Sequence, residues 1–260
     1  MNKPKADPAK TAATRAMKKW IENNIGGALR SVTSATPSGS SYAGVDLIDW
    51  GEGKLFEFYA FLKLLERIRL TDPGCTFRAQ RLVKGQYIYN GSPGLANPRR
   101  SHVCITLSDS TKMTVWQSVE FVGLGAMEHA SASTRNGDYH EADILIIEGP
   151  SPKKTQPKFR PTADDVVLLV ECKFMPSVSK QVLRNMLGLR REMSFLHSEI
   201  DSPFSPAASG FKIKLPATRG TNDGQTSHLL LAYAFPSNSS IEMQWKRPSQ
   251  RFGIEYLQLV

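Results

Sequence analysis

Residues 165–174 read DVVLLVECKF. Val166, Val167, Leu168, Leu169 and Val170 form an unbroken apolar run rich in β-branched side chains, the composition of a strand covered on both faces. Glu171 and Lys173 then stand at the end of this core run. Side chains two apart in a strand share a side, so Glu171 and Lys173 project together while Cys172 turns the other way. Taking a charge out of water is costly unless it is paired or bound to metal. A second core run lies upstream, ADILIIE over residues 142–148, with Asp143 at its opening. Two neighbouring core strands that each carry a carboxylate at one end point to a shared site.

Carboxylate oxygens are hard ligands. They suit Mg²⁺ or Mn²⁺, which keep several waters and bind substrate phosphates. No second soft ligand lies close in sequence, which argues against zinc. A lysine beside such a metal orients or deprotonates a water and offsets charge building on phosphorus. Metal, water and lysine together describe phosphodiester hydrolysis.

Working outward, the segment between the two runs, PSPKKTQPKFRPT, carries four prolines and the cations Lys153, Lys154, Lys158 and Arg160. It is expected to be a mobile basic loop without regular structure. Residues 179–197 predict an amphipathic helix with the stripe Val182, Met186, Leu189, Met193 and Leu196. A Pro/Ser/Gly loop around 202–210 leads to HLLLAYAF (228–235), a third buried strand, and FGIEYLQLV reads as a last strand. Upstream, residues 54–70 give the strongest helical pattern, Leu55, Phe58, Tyr59, Leu62 and Leu65, widened by Phe61, Leu64 and Ile68. Asp72-Pro73-Gly74 ends it. From 76 to 125 the pattern becomes short β-like runs, FRAQRLV, QYIYN, HVCITL and KMTVWQSVEFV, a predicted antiparallel meander. The turn signals between them are Asn90-Gly91-Ser92-Pro93 and Ser108-Asp109-Ser110. Residues 31–44 read as a linker. The basic N-terminus (Lys3, Lys5, Lys10, Arg15, Lys18, Lys19) reads as a flexible arm or the start of a short helix around 13–23. The order of elements predicts a mixed α/β fold, a central mixed sheet flanked by helices. A basic arm and linker over 1–44 would precede one domain over 45–260.

The chain has 260 residues, 40% hydrophobic and 22% charged, with a formal net charge of +9. That surplus favours polyanionic partners, nucleic acid before anionic membrane. Three cysteines, Cys75, Cys104 and Cys172, have no CxxC spacing. They support neither a disulfide framework nor a structural zinc site, and fit an intracellular, cytoplasmic setting. No apolar run approaches the roughly 20 residues of a membrane span, and no apolar stretch follows the basic N-terminus as in a secretory signal.

At His140-Glu141-Ala142-Asp143-Ile144 and Val170-Glu171-Cys172-Lys173 the sequence resembles the PD-(D/E)XK nuclease superfamily, the restriction-endonuclease-like fold. The order of elements extends the resemblance over roughly residues 51–235. It implies that Asp143 and Glu171 hold the metal ion and that Lys173 assists the attacking water. It also implies that Glu57, on the first core helix, completes the metal site and that Gln181, on the following helix, stands near it. The proline expected before the Asp is Ala142 here. The gap between Asp143 and Glu171 is lengthened by the basic loop.

Other motifs are set aside. Glu52-Gly53-Lys54 is a second ExK triplet, but no buried strand precedes it. Glu141 is expected to turn away from Asp143 towards solvent, and His140 to be a loop histidine without a role. His102, His129, His197 and His228 form no ligand spacing, and Glu128-His129 is too short to be a motif. No GxSxG nucleophile elbow and no GxxxxGK[ST] loop are present.

The expected function is a Mg²⁺- or Mn²⁺-dependent DNA endonuclease, in restriction or another defence against foreign DNA. Lys153, Lys154, Lys158, Arg160, Arg99 and Arg100 would contact backbone phosphates. Cutting both strands of a duplex favours a homodimer. Two alternatives are a non-catalytic nucleic-acid-binding or assembly module of the same fold, and an effector nuclease activated by a ligand or by oligomerisation. The geometric test is whether the carboxylates of Asp143, Glu171 and Glu57 converge within one metal's reach.

Overall fold

The computed structural model describes residues 8–32, 51–82, 87–89, 93–127, 139–175, 179–193, 228–233 and 254–259. The expected linker over 31–44 (beyond Val32), the turn at 90–92, Glu128-His129, His197, Leu196 and the loop at 202–210 lie outside them.

Seven strands form one mixed sheet in chain order: β1 (Thr76–Gln80), β2 (His102–Thr106), β3 (Lys112–Val122), β4 (Tyr139–Glu148), β5 (Val166–Lys173), β6 (His228–Tyr233) and β7 (Ile254–Gln258). β1 through β5 pair antiparallel, and β6 and β7 add in parallel to β5. The molecule is therefore mixed α/β, a central mixed sheet flanked by helices. The apolar runs at 142–148 and 165–174 become β4, the central strand, and β5, third from the β7 edge, in a sheet packed on both faces. Their composition is explained by that position.

One face carries α1 (Pro8–Val32) and α2 (Glu52–Thr71). The expected arm or short helix is thus a longer helix. Its Ala13, Met17 and Ile21, spaced four apart, bury one stripe in the same core as α2. α2 is apolar on nearly all sides because it lies between α1 and the sheet. Its Phe56, Phe58 and Phe61 are fully buried, each worth about 1.5–3 kcal/mol of burial. It ends where Asp72 accepts the Gly74 N–H at 3.1 Å and the Ser108 N–H at 2.8 Å. Gly74 sits against the β2–β3 turn, where any Cβ would lie 2.9 Å from Cβ of Ser108. α4 (Lys180–Met193) covers the opposite face through Val182, Leu183, Met186 and Met193. A short helix, α3 (Leu124–Met127), follows β3.

The run QYIYN is not a strand in its described part, Tyr87 to Tyr89. Its alternation has another cause: both tyrosines cover α2. Tyr87 stacks on Phe61 at 5.8 Å and donates to Gln117 at 2.7 Å. Tyr89 packs edge-on against Phe58 and reaches Glu57. The Ile88 N–H between them goes to the Ser101 hydroxyl rather than to a neighbouring strand.

The basic segment after β4 is irregular, as expected, but its second half is tied to the fold. Phe159 exchanges both backbone hydrogen bonds with Ala96, and Pro161 accepts the Val122 N–H at 2.8 Å. A capping box between Thr162 and Asp165 then turns the chain into β5.

Candidate functional site

Glu171 and Lys173 end β5 on one side and form an ion pair, while Cys172 enters the α2-side core. This is the alternation expected from the sequence. The pair is partly shielded, with side-chain exposures of 19% and 30%.

Asp143 does not open its strand. β4 begins at Tyr139, so Asp143 lies well inside it. The β4–β5 ladder pairs Ile144 with Val170, and the next step sets Asp143 against Glu171. There Asp143 Oδ2 accepts the Cys172 N–H at 2.7 Å. The carboxylate thus lies in the seam between the two strands and takes up a main-chain donor of β5. On either side of it, Ala142 belongs to the α4-side core and Ile144 to the α2-side core. Residues two apart normally share a side, so β4 twists at Asp143.

A carboxylate on the adjacent strand in a shielded place disfavours the charged form of Glu171. Burial, followed by the charge of Asp143, pushes the Glu171 carboxyl up to about 7, against the opposing pull of Lys173. Burial alone would lower the Lys173 pKa. The Glu171 charge, its hydrogen bond and Asp143 outweigh that, so the net direction is up and the lysine stays protonated. The Cys172 thiol is driven well above its usual range by burial and then by Asp143, which keeps it protonated and unreactive.

Glu57 faces the same centre from α2. Burial and then Asp143 raise its pKa, while Lys54 and Tyr89 lower it. Its carboxylate receives Lys54 at 2.7 Å and the Tyr89 hydroxyl at 3.2 Å. Among the described residues no three His, Cys, Asp or Glu side chains are gathered closely enough to hold a metal ion. Asp143, Glu171 and Glu57 are brought into one neighbourhood, but not assembled as a single three-carboxylate ligand set.

Glu141 is exposed at the strand start, in keeping with the solvent placement expected of it. Its pKa is nevertheless raised by partial burial and then by the charge of Asp143, with Lys54 and Lys173 opposing. The charge of Asp143 therefore reaches Glu141. Glu141 also lies opposite Glu120 on β3. Lys54 and Tyr89 are further members that sequence reasoning missed. Lys54 belongs to the triplet set aside as an ExK motif, expected in a Gly-bounded turn before the helix but lying in the first turn of α2 itself, and only the packing of α2 brings it near. Tyr89 sat in a segment read as a strand.

Gln181 is not brought to the carboxylates: its exposed side chain donates to Asn185, one turn along α4. Among the cations, Lys153, Lys154, Lys158, Arg99 and Arg100 are exposed. Arg160 differs. It is paired with Glu120 at 2.8 Å and lies 4.2 Å over the Tyr139 ring, so it braces the loop against β3 and β4. His140 lies on β4 beside Phe121 rather than in a loop. His102 is buried, stacked on Trp116 at 4.4 Å, with its ring nitrogens 2.9 Å from the Arg100 carbonyl and the Ser151 hydroxyl. No helix among the described residues is long and apolar enough to cross a membrane.

Comparison with protein-family models, with curated proteins and with solved structures found no match.

Proposed function

We propose that this chain is a metal-dependent nuclease of restriction-endonuclease-like fold that hydrolyses DNA phosphodiester bonds. The observation that carries the reading is the juxtaposition across β4 and β5: Asp143 in the strand seam, next to Glu171, which is ion-paired with Lys173. A structural ion pair has no need of the additional carboxylate that raises the Glu171 pKa. Perturbation of this kind in a shielded cluster marks functional sites.

The donor set fits Mg²⁺ or Mn²⁺ in one respect. Such ions need only one or two protein carboxylates, with waters and substrate phosphate completing the shell. Asp143 and Glu171 would hold the ion, which supplies Lewis acidity and a more acidic water when bound. Glu57 neighbours Asp143 from α2, and a ligand role for it requires release from Lys54 and Tyr89. Lys173, held protonated, orients the nucleophile and offsets negative charge growing on the phosphoryl oxygens. Lys153, Lys154 and Lys158, with Arg99 and Arg100, supply exposed charge for backbone phosphates. Action as a homodimer, and a place in restriction or defence, extend the same reading by analogy.

One observation favours the rival, a non-catalytic nucleic-acid-binding module: no three-ligand group is gathered among the described residues. Incubation of the purified chain with plasmid and Mg²⁺ or Mn²⁺ separates the two. Nicking or cutting that EDTA abolishes and Lys173→Ala reduces by about 10²–10³-fold supports the nuclease. Cleavage surviving both sinks this mechanism, and intact plasmid with salt-sensitive binding supports the module. Activity that appears only with an added small molecule or partner identifies a switched effector.

A further inference from the structure

β3 and β4 are paired on both sides of one step: Gln117 with Ile144, and Val119 with Ala142. The register across that step is unbroken, so Ser118 stands opposite Asp143. On both strands the alternation of sides fails here. Trp116 and Val119, three apart, both enter the α4-side core, and on β4 Ala142 and Ile144, two apart, enter opposite cores. Ser118 is where β3 absorbs the change. Its φ is 45°, a left-handed backbone in mid-strand, which residues other than glycine seldom adopt. It is fully buried, and its hydroxyl has no hydrogen-bond partner among the described residues. The position therefore contributes its backbone conformation rather than its hydroxyl. Strain of this sort persists only where surrounding structure enforces it, and it concentrates at functional sites.

We propose that Ser118 is the positioning residue for Asp143: its left-handed kink lets β4 twist against β3, which takes the Asp143 carboxylate out of both cores and lays it in the β4–β5 seam beside Glu171. Without the twist, regular alternation would commit Asp143 to one face of the sheet, and the Cys172 N–H would lose its acceptor. The functional consequence rests on the reading of Asp143 as a cation ligand.

The test uses the full chain labelled with ¹⁵N at cysteine, which gives three amide signals, those of Cys75, Cys104 and Cys172. Asp143→Asn sets the position of the Cys172 signal when the charged acceptor is lost. Ser118→Val, a β-branched residue that resists positive φ, should move the Cys172 signal towards that position. It should leave Cys75 and Cys104 in place and weaken Mn²⁺ binding, measured by titration calorimetry, by about 10–100-fold, the usual effect of disturbing a ligand's support. Ser118→Gly, which takes the left-handed backbone freely, should keep both the signal and the affinity. A folded Ser118→Val protein with an unmoved Cys172 amide overturns the proposal, as does loss of the signal position in Ser118→Gly. If Ser118→Val does not fold, Ser118→Gly decides by itself, retention supporting the proposal and loss overturning it. If Asp143→Asn leaves Mn²⁺ binding unchanged, the cation reading fails, while the Cys172 amide still reports on Ser118.

Discussion

In the proposed reaction, Lys173 is the residue on which the chemistry turns. It is held as a cation by Glu171 and Asp143, so it serves by charge and placement rather than by taking a proton. Lys173→Ala should reduce cleavage by about 10²–10³-fold, the usual scale for losing one preorganised electrostatic group, as measured by single-turnover plasmid nicking. Lys173→Arg keeps the charge but changes its shape, and should recover only part of that loss. A second residue-scale effect is independent of the site. Glu255 on β7 is raised from 4.5 to about 8 by burial, with Arg190 of α4 pulling it down. A carboxyl raised in the fold binds its proton more tightly there than in the unfolded chain. Its contribution to stability is full below pH 4.5 and is lost as pH rises through about 8. Glu255→Gln should flatten that decline, and thermal melts across this window check it. A slope as steep as that of the unmodified chain would show that another group titrates.

At the scale of elements, the basic segment behaves as a braced loop. Its second half is tied down by Phe159, Pro161 and Arg160, while Lys153, Lys154 and Lys158 stay exposed. A DNA-binding role predicts that changing these three lysines to Gln weakens binding at every sequence tested. It should also reduce the salt dependence of binding by roughly one unit for each lysine on a phosphate. Arg160→Ala should act differently: with Glu120 left without its partner, the loop loosens, and the loss falls on stability as well as on binding. α2 is the other element that matters. It lies against the sheet and delivers Glu57, Lys54 and, through its cover, Tyr89. Phe61→Ala, in the fully buried centre of that packing, should cost about 3–5 kcal/mol in denaturant unfolding.

At the scale of the whole molecule, binding and folding are linked. An ion held by Asp143 and Glu171 binds the fold and not the open chain, so Mn²⁺ should raise the melting temperature in a concentration-dependent way. Asp143→Asn should remove most of that rise, and a rise that survives the substitution would place the ion elsewhere. The sheet brings the two residues together. β5 is the strand where the antiparallel half meets the parallel half. The end of β5 is therefore reached by β4 from one side and by β6 from the other.

What the residues alone determined follows from short-range rules. An apolar β-branched run specifies a covered strand, so β4 and β5 were legible, and strand alternation placed Glu171 with Lys173 and Cys172 opposite. The 3.6-residue spacing specified α2 and α4, and the order of these elements specified a mixed α/β fold. The rest depended on long-range contacts that no local pattern encodes. Tyr87 and Tyr89 alternate as a strand would, but their rings are spent on α2. Lys54 lies far from Glu141 in the chain, and only helix packing brings them near. Gln181 lies on the expected helix but on its solvent side. The tertiary structure also decided the place of Asp143. Regular alternation would assign it to one face, and instead the coincident irregularity at Ser118 and Asp143 turns its carboxylate into the seam. A kink of that kind is set by two strands fitting one another, so it is visible only when both are in place.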